Sequence, residues 1–518
     1  MTNEKSPEGL NDSTKKSGDH FSTEHLKKNL AGRTARGGVI TLTSYGLKFV
    51  ITLAATIVMA RLLTPRDYGL IAMVVVVTNY LTMFKDMGLS LATVQRPEIS
   101  FDQISTLFWV NVALSVILTL LTILIAPGLA YFYGEPRLVL VTIATAIGFL
   151  LGGLSVQHEA LLKRQMRFMD LAAISTVALL VGYTVGIVLA WNGAGYWALV
   201  ASQLSLIGTN TAGTWILSRW IPGRPRRYAG VRPMLAFGRN VTGYATINVL
   251  AKNFDVLMLG RYWGPQNLGL YNKAYMLLSI PVDQTNEPFN SVAIPALSRL
   301  VDSPERYRDA YLRILEKVAL LTMPVVALMI ATSDWLVYLV LGPQWTASSR
   351  LLVILGIAGL FQPIISSINW LLITQGRTHH MFHWALISAP ITVVAVIAGL
   401  PWGPLGVAIS YTAARLLIID HLLYWYAGRS GPVRTIDFYR TVAPIAASST
   451  FALGVALLFR GLTHIQSPVI GCVISLVIVG STTYAVLFLI PAGRRALGDV
   501  KSLLRLIVER SEAPISGS

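Results

Sequence analysis

Apolar runs alternate with short polar joints along almost the whole chain, for example at 107–129 and 469–490. About 20 apolar residues allow a helix to cross a bilayer. The joints contain helix-breaking pairs such as Thr64-Pro65 and Gly264-Pro265, which favour turns. The pattern predicts fourteen helices, near 37–60, 68–93, 103–130, 138–161, 169–191, 196–219, 234–260, 267–292, 308–340, 347–374, 379–400, 404–426, 441–460 and 467–490.

The composition points to a membrane protein. Only 13% of the 518 residues are charged and 54% are hydrophobic, whereas a soluble domain has about 25% charged residues. The mean hydropathy of +0.59 leaves too few polar side chains to cover a soluble particle. The sequence therefore predicts an all-α polytopic membrane protein. Its single cysteine, Cys472, is expected to be buried, and it excludes an intrachain disulfide.

The net charge of +17 reflects Lys and Arg residues that fall mainly in alternate joints and in the two polar ends. With a cytoplasmic N-terminus, about 30 of them lie on the cytoplasmic side, as the positive-inside rule requires. We therefore expect an even number of spans with both termini in the cytoplasm. The basic residues are not interleaved with aromatic side chains as in a base-stacking surface. Nucleic acid is therefore not an expected partner.

The chain contains an internal repeat. "ARLLTPRDYGL" (60–70) recurs as "GRYWGPQNLGL" (260–270), and "LLKRQMR" (161–167) recurs as "LLITQGR" (371–377). The order of these matches predicts that helices 1–6 repeat as helices 7–12. Such parallel halves rock against each other around a site near the midplane. The predicted organisation is a disordered basic tail at 1–36, an N-lobe at 37–220, a basic linker at 221–233, a C-lobe at 234–430, two further helices at 431–490 and a basic tail at 491–518.

Several ionisable residues lie inside predicted spans, where charge is costly and usually faces a cavity. Lys48 is in the middle of helix 1 and has no acidic residue within a turn. We therefore expect it to face a cavity and an anionic ligand, with an ion pair to another helix as the alternative. Lys252 and Asp255 in helix 7 are three residues apart, which also allows a simple neutralising pair.

Further charges occur in helices 2, 8 and 12. Lys273 is in helix 8, and Asp86 lies near the inner end of helix 2. Arg415 in helix 12 either extends to an interface or pairs with Asp420, although a spacing of five residues is imperfect for a helix. Asp283 precedes Pro288 in helix 8, which indicates a broken or partly hydrated helix.

Two segments resemble enzyme motifs, but each lacks a feature that the motif requires. "HEALL" (158–162) has Leu162 where a zinc helix needs its second histidine, and "GAGYWA" (193–198) lies in a hairpin without a strand. The joints are too short to contain a soluble catalytic domain. We therefore expect no enzymatic activity and no cofactor, and no metal site built from cysteines or from the HEALL helix.

The segments "MARLLTPRDYGLIAM" (59–73), "FKDMGLSLATVQR" (84–96), "AKNFDVLMLGR" (251–261) and "NWLLITQGRTHHM" (369–381) carry a family resemblance. The chain resembles the Wzx-type polysaccharide flippases, and within them the WzxC-like exporters of exopolysaccharide, capsule and lipopolysaccharide units. This family belongs to the MOP superfamily with the MATE exporters and the lipid II flippases. Glu287 departs from the family, whose typical members have a small residue there.

The resemblance implies a flippase in the bacterial inner membrane that moves undecaprenyl-diphosphate-linked oligosaccharides by alternating access, for exopolysaccharide, capsule or O-antigen synthesis. It implies the lipid-linked oligosaccharide as partner, with the polymerase and the chain-length regulator of the same pathway as further candidates. The alternative is a MATE-like cation-coupled exporter of a drug or another amphiphile. The expected substrate-binding residues are Lys48, Lys252, Lys273 and Arg415, and the expected ion-coupling or structural-pair residues are Asp255 and Asp86.

Overall fold

The computed structural model describes residues 30–86, 88–96, 99–226, 253–463, 465–490 and 493–494. Within these ranges, all regular secondary structure is helical. The chain divides into two compact units, with the boundary between Pro265 and Gln266. The predicted tails and the predicted basic linker lie largely outside the described residues, so the domain boundaries stay a prediction.

The first unit is built from long helices that pack side by side. Helix α1 packs against α6, and α5 packs against α4 and α7. Local sequence explains where α4 begins, because the Ser100 hydroxyl accepts a hydrogen bond from the Gln103 N–H and the Gln103 side chain accepts one from the Ser100 N–H. The helices are α1 (Leu30–Leu62), α2 (Pro65–Asp86), α3 (Leu89–Gln95), α4 (Phe101–Tyr133), α5 (Leu138–Arg164), α6 (Phe168–Trp191) and α7 (Tyr196–Ser218).

The described chain resumes with a long helix that is interrupted at Gly264, whose φ of 74° and ψ of 178° are not helical. This interruption lies at the predicted Gly264-Pro265 turn. The part of this helix after Pro265 and all later helices belong to the second unit. The helices are α8 (Phe254–Ser298), α9 (Pro304–Ala331), α10 (Ser333–Val340), α11 (Ser348–Gly359), α12 (Gln362–Thr374), α13 (Thr378–Gly399), α14 (Gly403–Ala414), α15 (Asp420–Gly428), α16 (Thr435–Leu462) and α17 (Pro468–Leu489).

Nine helical segments in the described ranges are long and apolar enough to cross a membrane, or ten if the bent pair α11–α12 is one span. One of them, His379–Gly428, covers two predicted helices. Helices α7 and α8 are present where helices were predicted, but neither is among these apolar segments. Most of the predicted helix 234–260 lies outside the described residues. The all-helical, multi-pass membrane class is confirmed, while the count of fourteen stays a prediction.

Three predicted helices are interrupted. Helix 68–93 is divided near Gly88, which has a φ of 71°. Helix 308–340 is divided at Thr332, and helix 347–374 bends by 44° between α11 and α12. The expectation of a buried cysteine was wrong, because Cys472 is half-buried on α17, a helix with many exposed apolar side chains.

The repeated segments 161–167 and 371–377 form the same turn. In each, the Arg N–H bonds to the carbonyl five residues earlier, at 3.0 Å for Arg167 and 2.8 Å for Arg377. The preceding residue adopts a left-handed conformation, with a φ of 54° at Met166 and 66° at Gly376. These are the features of a Schellman helix end. The shared backbone geometry supports the predicted repeat.

An ion pair at one end and a hydrogen bond at the other end join α9 to α16. At the first turns, Arg308 donates hydrogen bonds of 2.8 Å and 2.5 Å to the Asp437 carboxylate. At the other ends, Arg460 donates a hydrogen bond of 3.0 Å to the carbonyl of Ala331, the last residue of α9, and it also pairs with Asp334 on α10. The two helices are therefore parallel and are fixed to each other at both ends. This places α16 and α17, which follow the predicted repeat, firmly on the second unit.

Candidate functional site

The second unit contains a cavity of about 170 Å³ between α8, α11, α12 and α14. Apolar residues form part of its wall, and polar side chains from several helices form the rest. Polar groups that converge on a partly apolar pocket are typical of ligand sites. The polar lining residues are Tyr275, Ser279, Asp283, Gln362, Tyr411 and Arg415.

The helical irregularity at Arg415–Ile419 positions the most strongly charged of these groups. This segment is π-helical, and the Asp420 N–H bonds to the Arg415 carbonyl. A π-helical turn aligns residues five apart, so it brings the two side chains together across a spacing that a regular α-helix would separate. Arg415 Nε lies 3.4 Å from Asp420 Oδ1. The structure therefore favours the predicted Arg415–Asp420 pair over the alternative, in which the Arg415 side chain extends to a membrane interface.

The Arg415–Asp420 pair is almost inaccessible, with side-chain exposures of 13% and 4%. Its second contact, Arg415 Nη2 to Asp420 Oδ2, is 3.5 Å long, whereas charge-assisted hydrogen bonds are typically about 2.7–2.9 Å. Arg415 Nη1 donates to Gln362 Oε1 at 3.1 Å. Arginine has five N–H donors, so these three contacts leave donors for a ligand in the cavity.

The bend between α11 and α12 positions Gln362. Helix α12 begins at Gln362 with Pro363 in its first turn, a position that proline favours. Two tyrosines of α9 hold the helix in place, because hydroxyl–hydroxyl contacts of 2.7 Å and 2.6 Å join Tyr311 to Ser367 and Tyr307 to Thr374. The first residue of α12 therefore faces the cavity from a fixed support.

Lys273 lies on the cavity-bearing helix α8, but it does not line the cavity. It is 5% exposed, and among its contacts its ammonium lies 3.7 Å from Met276 Sδ. Asp255 is half-buried, and one of its oxygens accepts a hydrogen bond of 2.8 Å from the Val256 N–H. Lys252 lies outside the described residues, so the Lys252–Asp255 pair stays a prediction.

In the first unit, Lys48 is half-buried on α1 beside the exposed side chains of Tyr45, Leu47 and Val50. Asp86 has a local role at the end of α2. One of its oxygens accepts a hydrogen bond of 2.9 Å from the Ser90 N–H, and the other accepts one from the Ser90 hydroxyl. Asp86 therefore stabilises the start of α3. Its predicted coupling role, and the predicted role of Lys48, stay predictions.

A buried hydrogen-bond network beside Asp86 was missed by the sequence analysis. Gln157 Nε2 donates to Asn111 Oδ1 at 2.9 Å, and the Thr93 hydroxyl donates to Gln157 Oε1 at 2.9 Å. Asn111 Nδ2 donates to the carbonyl of Lys85 at 3.2 Å. The network ties α2 and α3 to α4 and α5. The sequence did contain a signal for this network, because amide side chains inside apolar runs require hydrogen-bond partners.

Residues 58–350 match the family model described as polysaccharide biosynthesis protein. The chain belongs to this family. Its relatives include the teichuronic acid biosynthesis protein TuaB of Bacillus subtilis, 26% identical over 67% of this chain and 72% of TuaB. The succinoglycan biosynthesis transport protein ExoT of Rhizobium meliloti is 26% identical over 91% of this chain and 93% of ExoT.

The lipopolysaccharide biosynthesis protein WzxC of Escherichia coli is 26% identical over 71% of this chain and 75% of WzxC. Among solved structures, the lipid II flippase MurJ in an inward closed conformation matches with a TM-score of 0.69 at 13% identity, over 88% of this chain and all of that chain. An inward-facing multidrug resistance MATE transporter of the MOP superfamily matches with a TM-score of 0.57 at 15% identity, over 76% of this chain and 96% of that chain. These matches confirm the resemblance to Wzx-type flippases and show that the chain shares its fold with MurJ and the MATE transporter. The homologues are transporters and flippases rather than enzymes.

Proposed function

We propose that this chain moves undecaprenyl-diphosphate-linked oligosaccharides from the cytoplasmic to the periplasmic leaflet of the bacterial inner membrane. The observation that carries the proposal is the cavity in which Arg415, Gln362 and two tyrosines converge inside a membrane-spanning unit. A sugar–diphosphate headgroup cannot cross hydrocarbon, because each unpaired polar group costs several kcal/mol there. Side chains that donate hydrogen bonds within the membrane offset that cost.

The cavity suits the headgroup chemically. Arg415 supplies a delocalised cation that binds phosphate oxygens in a fork geometry. Gln362 and the hydroxyls of Tyr275, Ser279 and Tyr411 match the hydroxyl and acetal oxygens of a sugar. A volume of about 170 Å³ holds only part of an oligosaccharide. The proposal therefore includes alternating access of the two predicted lobes, which enlarges the space available to the substrate.

The remaining site residues are assigned within the same proposal. Lys48 and Lys252 contact the diphosphate, and Lys273 contributes positive charge close to the path. Asp255 either couples transport to an ion or neutralises Lys252, and Asp86 either couples transport or stabilises the end of α2. The polymerase and the chain-length regulator of the same pathway are the partners that receive the translocated unit.

The proposal is tested with the purified full-length chain in liposomes that contain a polyprenyl-diphosphate-linked oligosaccharide on their inner leaflet. A lectin that cannot cross the membrane reports the oligosaccharide that reaches the outer leaflet. We expect exposure of the oligosaccharide to the lectin to be much faster than in protein-free liposomes. An exposure rate equal to that of protein-free liposomes would end the proposal.

The same assay tests whether Asp255 couples transport to an ion or only neutralises Lys252. If Lys252→Ala with Asp255→Ala recovers the transport that either single change removes, the two residues form only a structural pair. If Asp255→Asn alone abolishes a dependence of transport on pH or sodium, Asp255 couples transport. Transport by Asp255→Asn at the wild-type rate at every pH and sodium concentration would remove the coupling role.

A second candidate function rests on Asp283, a carboxylate exposed on the cavity wall. A carboxylate there suits a cationic drug, and the fold is shared with a MATE transporter. The two functions separate in one experiment. Uptake of a lipophilic cation that requires Asp283 and not Arg415 supports the exporter, whereas lectin exposure that requires Arg415 supports the flippase.

A further inference from the structure

A cluster of basic and aromatic residues lies where the start of α13 meets the end of α15. His380 Nδ1 lies 2.8 Å from the Tyr426 hydroxyl oxygen, and the Arg429 guanidinium carbon lies 4.4 Å from the centre of the Tyr426 ring. The rings of His379 and His380 are 4.2 Å apart. Tyr426 therefore joins the basic groups of the two helices into one surface. We call this surface the basic patch, and its residues are Arg377, His379, His380, His383, Trp425 and Arg429.

Among the residues that the structure describes, no ion pair joins a residue of the basic patch to a carboxylate. The charged groups that influence His380 are Arg377, His379, His383 and Arg429, and all of them are basic. In the part of the chain that the structure describes, no carboxylate is among the groups that influence His380 or Arg377. Like charges held close together repel, and a bound anion relieves that repulsion.

The accessible members of the patch are His379, His383 and Arg429, which are exposed. The Arg377 guanidinium instead donates to the carbonyl of Ser430 and to Gln375, so it braces the patch from behind. Trp425 is 54% exposed, and the Arg429 guanidinium lies 5.3 Å from its ring centre. Tryptophan beside arginine is typical of the headgroup level of a membrane.

Apolar surface continues from the patch along the same helices. Leu386 and Ile387 on α13 and Leu422 on α15 are exposed. In a membrane-spanning unit these side chains face acyl chains. The surface therefore combines cations at one end with an apolar strip leading away from them, which matches an amphiphile with a negative head.

We propose that the basic patch binds the phosphate headgroup of an anionic phospholipid in the leaflet that adjoins it. The phosphate lies against Arg429, His379 and His383, and the acyl chains lie along the exposed strip of α13 and α15. Basic pockets between membrane helices bind phosphate-rich lipid heads in this way. A free phosphate ion would use the cations but not the apolar strip. The proposal goes beyond the proposed function and does not depend on it.

The test measures binding of phosphatidylglycerol and of phosphatidylcholine with identical acyl chains to the purified full-length protein in a neutral detergent. Native mass spectrometry counts the lipids that remain bound. We expect the wild type to prefer phosphatidylglycerol and Arg429→Gln to weaken its binding about fivefold, as expected for one cation near an anionic lipid. Arg429→Lys keeps the charge and should keep the preference.

The matched control is Arg350→Gln, because Arg350 is an exposed arginine at the start of α11, outside the basic patch. It should leave the preference unchanged. Equal binding of the two lipids by the wild type, or an equal effect of Arg429→Gln and Arg350→Gln, would overturn the proposal. Soluble pyrophosphate that competes as well as the lipid does would show a free-phosphate site instead. A stronger preference for undecaprenyl phosphate than for phosphatidylglycerol at this patch would also overturn it.

Discussion

The guanidinium of Arg308 and the carboxylate of Asp437 meet at two points and connect the first turns of α9 and α16. Asp437 is deeply buried, with a side-chain exposure of 3%, while Arg308 is 42% exposed. Because the carboxylate has little access to water, it depends on Arg308 for hydrogen bonds more than Arg308 depends on the carboxylate. The pair is the anchor through which the two C-terminal helices hold to the second unit at one end.

Asp437→Asn should lower the free energy of unfolding by about 1.5–3 kcal/mol, the usual contribution of hydrogen bonds to charged groups. Thermal unfolding of the purified protein in detergent measures the effect as a lower midpoint. Arg313→Gln is the control, because Arg313 is an exposed arginine on the same helix. Equal midpoints for Asp437→Asn and Arg313→Gln would show that the pair contributes nothing.

Substitutions in the two equivalent turns are expected to have opposite effects on stability. Gly376 adopts a φ of 66°, which costs an L-residue roughly 1–2 kcal/mol, so Gly376→Ala should destabilise the protein by about that amount. Met166 adopts a φ of 54° without being glycine, so Met166→Gly should leave stability unchanged or raise it. The same unfolding measurement applies. Destabilisation of both variants to the same extent would contradict the shared turn geometry.

Arg415→Gln should lower flipping at least about tenfold, since it removes the charge-assisted contacts of the cavity, without lowering the amount of protein in the membrane. Arg350→Gln is the control outside the cavity and should flip normally. The lectin assay measures both. If Arg415→Gln combined with Asp420→Asn restores flipping, the pair is structural and Arg415 does not contact the substrate.

Lys48→Arg should retain appreciable export, whereas Lys48→Ala and Lys48→Glu should abolish it at unchanged protein levels. A positive charge inside a span costs roughly 2.5–3.5 kcal/mol on insertion scales, which an anionic substrate offsets. Polymer export by cells carrying each variant is the measurement. Normal export by Lys48→Ala would refute the role. Rescue of Lys48→Asp by Asp255→Lys would indicate an ion pair between helices instead.

Alkaline phosphatase fused after Ser518 should show no periplasmic activity, because the distribution of Lys and Arg predicts a cytoplasmic C-terminus. A fusion within the predicted outer joint at 134–136 should be active and serves as the positive control. Strong activity of the Ser518 fusion would rule out an even number of spans.

The apolar pattern predicted the helices well because burial in lipid needs only length and composition. It did not predict where the helices break. The division at Thr332 has neither glycine nor proline beside it. It lies where Arg460 contacts the Ala331 carbonyl and the Asp334 carboxylate, and such contacts between distant residues are not visible in the local sequence. The bend before Gln362, in contrast, is flanked by Gly359 and Pro363, and these signals were available.

The candidate site was predictable by residue type and not by geometry. Arg415 was identified because charge inside a span is unusual. The cavity partners Gln362 and Tyr411 were not, because neutral polar residues are common in such helices. The alignment of Arg415 with Asp420 depends on a π-helical turn, which leaves no recognisable mark in one sequence. Lys273 lies among the buried residues of α8, and its predicted role at the substrate stays a prediction.

The parallel arrangement of α9 and α16 imposes a parity rule on the chain between them. Two membrane-spanning helices that begin on the same side require an odd number of crossings in between. With the bent pair α11–α12 counted as one crossing, the segment His379–Gly428 has to supply an even number. Fifty helical residues would extend about 75 Å, more than twice the hydrocarbon thickness. We therefore expect the segment to cross twice and to turn back at Gly403, where φ is 72°, which agrees with the two helices that the apolar pattern predicts for this stretch.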